Sequence, residues 1–344
     1  MKLFPDAKKH TAIVFGAGGF IGSHLVDALV KEGFGVVLAV ASYHSTGKTG
    51  LVPTYPNVKT IRGDIRDQHF LEYMKYKAIN QHTGGSICVF NCAAHISVPA
   101  SMNLPNAYLE TNVLAVSRML QVFSGPKYPF VQVSTSEVFD GRAGVYSDKS
   151  ALTPISPYGG CKAMSEMLVR SWRALYGSNS IACRLFNTYG PRQSPRAVIP
   201  KMILEAMDVK EKIKSKVMLG DPNTYRSFMY VKDSARALLA AAAIAMRGDG
   251  PPVVQVGASE ATRIGDVWPL VASVVGIGPF NPYCVSWDES ARDEKLRVPA
   301  LRGKTSREIR ELVALDTMKL LDGIKETYKW LNSNRSYYSE LDYQ

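Results

Sequence analysis

The chain has 344 residues, 46% apolar and 21% charged, a composition that fits a folded protein with one large core or two unequal lobes and excludes a disordered or low-complexity chain. Its formal charge of +11 is scattered, and the two dense basic stretches, Lys210 to Lys216 and Arg292 to Arg310, both carry acidic partners, so they read as solvated faces and not as a track for nucleic acid. The five cysteines, Cys88, Cys92, Cys161, Cys183 and Cys284, are odd in number and form no Cys-x-x-C pair, so no disulfide framework and no metal site is expected, and the longest apolar helix, Ala235 to Met246, is too short to span a bilayer.

In chain order, Thr11 to Phe15 is a short apolar run expected to form a strand. It leads into Gly16-Ala17-Gly18-Gly19-Phe20-Ile21-Gly22 and then into a helical pattern from Ser23 to Lys31. Strand, glycine turn and helix in this order predict a dinucleotide site: Gly16 permits the tight turn, the next glycines let backbone approach a pyrophosphate, and Gly22 allows close helix–strand packing. Further apolar runs at Val36 to Val40, Val58 to Ile61, Ser86 to Asn91, Phe130 to Val133 and Ile181 to Leu185 alternate with helical patterns. That alternation predicts an α/β fold with a doubly wound parallel sheet of the Rossmann type.

Gly63-Asp64-Ile65-Arg66-Asp67 follows the third run, where the strand C-termini of such a sheet form the ligand crevice. Asp64 reads as an acceptor for the adenine amine or as the N-cap of the helix beginning near Asp67, and the two roles are compatible. Tyr158 and Lys162 stand four residues apart, which puts a phenol and an ammonium on one helix face. A nearby ammonium favours phenolate, so this pair predicts a base for a sugar or alcohol hydroxyl. Beyond Asn187, the loops Tyr189-Gly190-Pro191-Arg192 and Gly220-Asp221-Pro222 predict a smaller C-terminal lobe over a cleft. The expected division is 1–185 for the dinucleotide and 186–344 mainly for the substrate, with the helix 231–246 returning to the first lobe.

Taken together, these residues resemble the extended short-chain dehydrogenase/reductase family, in its NAD-dependent nucleotide-sugar epimerase, dehydratase and decarboxylase branch. The resemblance runs over nearly the whole chain. It is carried by Gly16 to Gly22, Gly63 to Asp67, Asn91-Cys92-Ala93-Ala94-His95, Thr111-Asn112-Val113, Ser134-Thr135-Ser136-Glu137-Val138-Phe139, Tyr158 to Lys162, Arg184 to Arg192, and Arg226 to Asp233. It implies that Gly16, Gly19, Phe20, Ile21, Gly22, Asp64, Ile65, Ala93, Ala94, Asn112, Tyr158 and Lys162 surround the cofactor. It further implies that Thr135 holds the substrate hydroxyl beside Tyr158, that Lys162 touches the nicotinamide ribose and that Asn112 supports the site.

For the reaction, the resemblance makes Glu137 the carboxylate that removes a C5 proton once C4 is a ketone, which is the chemistry of a 4,6-dehydratase. Ser136 stands where such enzymes commonly have aspartate. Amino-sugar dehydratases and UDP-glucuronate decarboxylases resemble the chain here as well, so the expected order is dehydratase, decarboxylase, epimerase, with a 5,6-dehydratase that leaves an alkene as a further variant. A nucleotide-binding sensor or scaffold is the non-enzyme alternative, and the complete Thr135, Tyr158 and Lys162 set argues against it. The cofactor is expected to be NAD. NADP stays open because Val40 occupies the place of the usual ribose-binding aspartate, with His44, Ser45 and Lys48 in reach of a 2′-phosphate.

A nucleotide-diphosphate sugar is the expected partner. Arg226 resembles the arginine that grips the diphosphate, and Asn187 the asparagine that touches a phosphate; Arg192 and Arg292 are further candidates. His95 is read either as a neighbour of cofactor and sugar or as a buried, satisfied histidine. Asn106 to Phe123 and Pro157 to Tyr176 resemble the helices that pair across a two-fold axis in homodimers of the family, and the enzyme is expected in the cytoplasm.

Overall fold

The computed structural model describes residues 3–42, 51–82, 84–258, 260–278, 285–288, 298–315 and 318–336. Six strands appear where the apolar runs lie: β1 (Thr11–Phe15), β2 (Val36–Ala41), β3 (Val58–Arg62), β4 (Ile87–Asn91), β5 (Phe130–Thr135) and β6 (Ser180–Leu185). A seventh, Val253–Val256, pairs with β6, and the order across the sheet is Val253–Val256, β6, β5, β4, β1, β2, β3, all parallel. β1, β4 and β6 are buried at every residue, which is why they read as continuous apolar runs, whereas β3 closes the edge and exposes Lys59, Thr60 and Arg62.

Helices cover both faces. On one side α1 (Phe20–Glu32) packs against an alanine-rich helix, Val231–Arg247, through Leu25, Leu29, Ala237 and Ala241. On the other, α2 (Gln68–Asn80), α3 (Val98–Asn103), α4 (Pro105–Leu109), a π turn (Glu110–Leu114), α5 (Ala115–Val122) and α6 (Pro157–Tyr176) follow in chain order, with Leu71, Met119, Leu120 and Val169 meeting Ile13, Phe15 and Val89 of the sheet. Ser156 caps α6 by accepting the Gly159 N–H at 3.1 Å, Pro157 occupies its first turn, and Gly177 ends it at φ 58°.

The second lobe has its own core, built on α7 (Val198–Lys210), α9 (Ile264–Val275) and α11 (Leu320–Ser333), with α8 (Val231–Arg247) and α10 (Arg307–Leu312) between them in sequence but packed on the sheet. More of the chain therefore returns to the sheet than the helix 231–246 alone: the strand Val253–Val256 and α10 do so too. Short apolar segments of three or four residues carry no period long enough to assign. No helix among the described residues is long and apolar enough to cross a membrane.

Candidate active site

The glycine turn is closed by backbone on both sides. Gly16 adopts φ +78°, and a Cβ there would lie 2.6 Å from the Ala93 nitrogen; one on Gly22 would lie 2.1 Å from the Gly16 carbonyl. Gly19 is the N-cap of α1 with no side chain closing the helix, so the first amides point at the crevice beside β4, where the sheet order reverses. Backbone this close, an exposed Gly19 and an uncapped helix start fit a dinucleotide pyrophosphate. Phe20 and Ile21 open the helix half-buried, and the backbone of Ala93, which half-buried Ala94 follows, backs onto Gly16. When bound, the nicotinamide supplies a hydride acceptor and donor.

Several neighbours differ from expectation. Val40 is buried inside β2 in the core below the sheet, and Ser42 is the first exposed residue beyond it; His44, Ser45 and Lys48 lie outside the described residues. Asp64 is not the helix cap. Its carboxylate accepts from Arg66 Nε at 3.0 Å and Nη2 at 2.6 Å, which holds it below the usual carboxylate range, and Asp67 caps α2 instead, accepting from His69 and Phe70. Ile65 is buried beside it. His95 is exposed and not a buried, satisfied histidine, and its ring lies 5.5 Å from Tyr108. Asn112 has both ends of its carboxamide on the backbone of that histidine: Oδ1 accepts the His95 N–H and Nδ2 donates to the His95 carbonyl, each at 2.9 Å. Its part is to hold the Ala93-Ala94-His95 loop.

At the end of β5, Thr135 caps a short turn, Ser136–Val138, by accepting the Glu137 N–H at 3.2 Å. Gly159 lets α6 approach that turn, since a Cβ on it would lie 2.2 Å from the Glu137 carbonyl oxygen. The approach brings Tyr158 to Thr135 and Glu137. Burial raises the Tyr158 phenol above its ordinary value, the Thr135 hydrogen bond opposes that, and the charge of Glu137 adds to it. Sequence spacing predicts that Lys162 acidifies this phenol, and the structure corrects this: the ammonium is turned into β5, donating to the Val133 carbonyl at 2.6 Å, and burial lowers it to about 8.

Glu137 opens onto a cavity of about 430 Å³ between the lobes, which Asn187, Gln193, Arg196, Lys201 and Arg226 also line. Asn187 Oδ1 and Gln193 Oε1 are buried there without a hydrogen-bond partner, two acceptors that a ligand with donors would satisfy. Arg226 is buried, and one of its nitrogens donates to the Tyr225 carbonyl at 2.9 Å. Arg192 is placed elsewhere: it adopts φ 67°, pairs with Asp27 of α1 at 2.7 Å and lies over the Trp330 ring. Arg292 lies outside the described residues. Gln193, Arg196, Tyr108 and Glu166 were missed as site residues; of these, Glu166 carried a signal, standing four residues after Lys162 on the same helix.

Three comparisons bear on this arrangement. The chain is 26% identical over 345 residues to a trifunctional UDP-glucose 4,6-dehydratase/UDP-4-keto-6-deoxy-D-glucose 3,5-epimerase/UDP-4-keto-L-rhamnose-reductase of Arabidopsis thaliana, with 97% of this chain covered. It spans about half the length of that relative, 49%. It is 26% identical over 339 residues to a dTDP-glucose 4,6-dehydratase of Streptomyces antibioticus, covering 96% of this chain and 94% of that one. Among solved structures, MoeE5 in complex with UDP-glucose and NAD aligns with a TM-score of 0.76 at 27% identity over 95% of this chain and 99% of the other. The family model described as the NAD dependent epimerase/dehydratase family matches residues 12–257, from β1 through the last strand of the sheet. The chain belongs to that family and is an enzyme whose cofactor is NAD.

Proposed function

We propose that the protein is a nucleotide-sugar 4,6-dehydratase. The observation that carries this reading is Glu137: it lines the cavity, its charge bears on Tyr158, and among the described residues it has no ion-pair partner. A 4-epimerase needs no carboxylate at that point. In the proposed sequence Tyr158 takes the proton of the C4 hydroxyl while Thr135 holds that oxygen; the C4 hydride would be kept by the bound dinucleotide until water has left and would then return to C6, with C5 regaining a proton from solvent. Glu137 then removes the C5 proton, and the C6–O bond breaks as the electron pair forms the C5–C6 double bond. With serine at 136 and no second carboxylate beside it, the proton that Glu137 has taken is the one delivered to the departing hydroxyl, which leaves as water.

The sheet lobe, residues 1–185 with the returning segments, would hold the dinucleotide, and the 186–344 lobe the nucleotide sugar. Arg226 at the cavity suits a diphosphate, and Asn187 and Gln193 suit ligand hydroxyl or amide donors. Incubation with UDP-, dTDP-, GDP- and CDP-sugars, followed by product mass, tests the reading. Loss of water is expected; loss of carbon dioxide, or unchanged mass with altered stereochemistry, would replace it with a decarboxylase or an epimerase.

We also infer a homodimer. Leu109 and Leu114, on the helical stretch from Pro105 to Val122, and Met164 and Met167 on the adjoining α6 are exposed apolar side chains on helices that pack side by side, and a second copy would cover them. Light scattering at micromolar concentration should report twice the chain mass, and a monomer there would defeat the inference.

A further inference from the structure

Helix α6 lays Tyr158, Lys162 and Glu166 along one face at four-residue steps, and β5 answers each of them. Thr135 stands beside Tyr158, the Val133 carbonyl accepts from Lys162 at 2.6 Å, and the Ser134 hydroxyl donates to Glu166 Oε1 at 2.5 Å. Glu166 is fully buried, as is Arg184, which lies beside Ser134 in the register of β5 and β6. The Arg184 guanidinium grips the carboxylate through Nε at 2.9 and 3.0 Å and through Nη2 at 2.7 Å. It is fixed in turn by the Asp148 carbonyl at 3.3 Å and by the Phe139 ring at 5.2 Å. Replacing such a buried pair by apolar side chains of similar volume is often neutral or stabilising, so stability alone does not account for its presence here.

We propose that Glu166 is a positioning residue for the Tyr158–Lys162 pair: held by Arg184, its carboxylate fastens the Ser134 end of β5 to α6 and supplies the negative charge against which the Lys162 ammonium sits. The groups whose charges bear on that ammonium are Cys92, just beyond β4, and Glu166 and Cys161 of α6 itself. Burial lifts the Cys92 thiol to about 12 and raises Cys161 as well, so both are neutral near neutral pH and Glu166 is the anion that remains. Glu110 and Glu137, on turns packed against α6, do not figure among those groups, and Arg184 acts through Glu166. Burial holds Lys162 at about 8, so its positive charge is present below that pH and lost as pH rises through it; removing Glu166 moves the loss to lower pH.

The role in turnover rests on the function proposed above, whereas the charge coupling does not. Protein labelled with ¹³C at the lysine Cε positions, titrated with NAD bound and the Lys162 signal identified by Lys162→Arg, reads the ammonium directly. In Glu166→Gln the midpoint should fall by about one pH unit or more, and the alkaline limb of turnover should move with it. An unmoved midpoint overturns the proposal, and so does a shifted midpoint with an unmoved limb. Absence of turnover on every nucleotide sugar defeats the functional reading and leaves the titration to decide the coupling. Should Glu166→Gln fail to fold, Glu166→Met with Arg184→Met removes the pair whole; a smaller acid shift is expected, since the opposing guanidinium charge leaves with the carboxylate, and a wild-type midpoint in that protein overturns the proposal.

Discussion

Tyr158→Phe is expected to lower turnover by about two to four orders of magnitude, the range that a positioned general base contributes, while leaving NAD binding nearly unchanged. The phenol is the group that meets Thr135 at the end of β5, and phenylalanine keeps the ring against Tyr108, 6.2 Å away, while removing only the oxygen. NAD affinity measured by calorimetry together with single-turnover rates separates the two effects. A Phe variant within tenfold of the wild type would show that some other group takes the hydroxyl proton.

Glu137→Gln should cost about as much in overall turnover, again ~10²-fold or more, but at a later step. Thr135, Tyr158 and Lys162 are untouched, so oxidation at C4 should survive and elimination should stop. In heavy water the wild type should place deuterium at C5 of a 4-keto-6-deoxy product, and the Gln variant should exchange nothing there. The amide is close in size to the carboxylate, and Glu137 is half-buried without a salt bridge among the described residues, so the fold should be unaffected. Full turnover by the Gln variant would sink the dehydratase reading and favour the epimerase.

The sheet was legible because its inner strands are buried on both faces and so read as apolar runs, and because the Gly16 to Gly22 turn has a steric reason at each end. The short strand Val253–Val256 and the cavity were not. Arg192 and Arg196 are two arginines of one proline-rich loop, and nothing in their spacing tells which faces the cavity and which faces Asp27; that is decided by how the loop meets α1 and α7. Asp64 and Asp67 likewise differ by three positions, and local turn geometry alone gives the cap to the second. Helix spacing put Tyr158 and Lys162 on one face correctly, yet spacing carries no information on partners across a helix–strand contact, and the Val133 carbonyl is what turns the ammonium away from the phenol.

The π turn at Glu110–Leu114 has a consequence for how this chain tolerates changes of length. A π turn holds one residue more than an α turn, so loss of a single residue from it would let one unbroken α-helix run from Pro105 to Val122. Each residue of an α-helix advances the face by about 100°. The deletion would therefore swing everything on one side of the turn by that angle, either taking the Asn112 carboxamide off the His95 backbone or rolling Met119 and Leu120 out of the core beneath the sheet. The surplus residue is what allows one helix to satisfy a polar loop at its middle and an apolar core at its end, and insertions or deletions between Glu110 and Leu114 should be far less tolerated than in the exposed turn around Gly125.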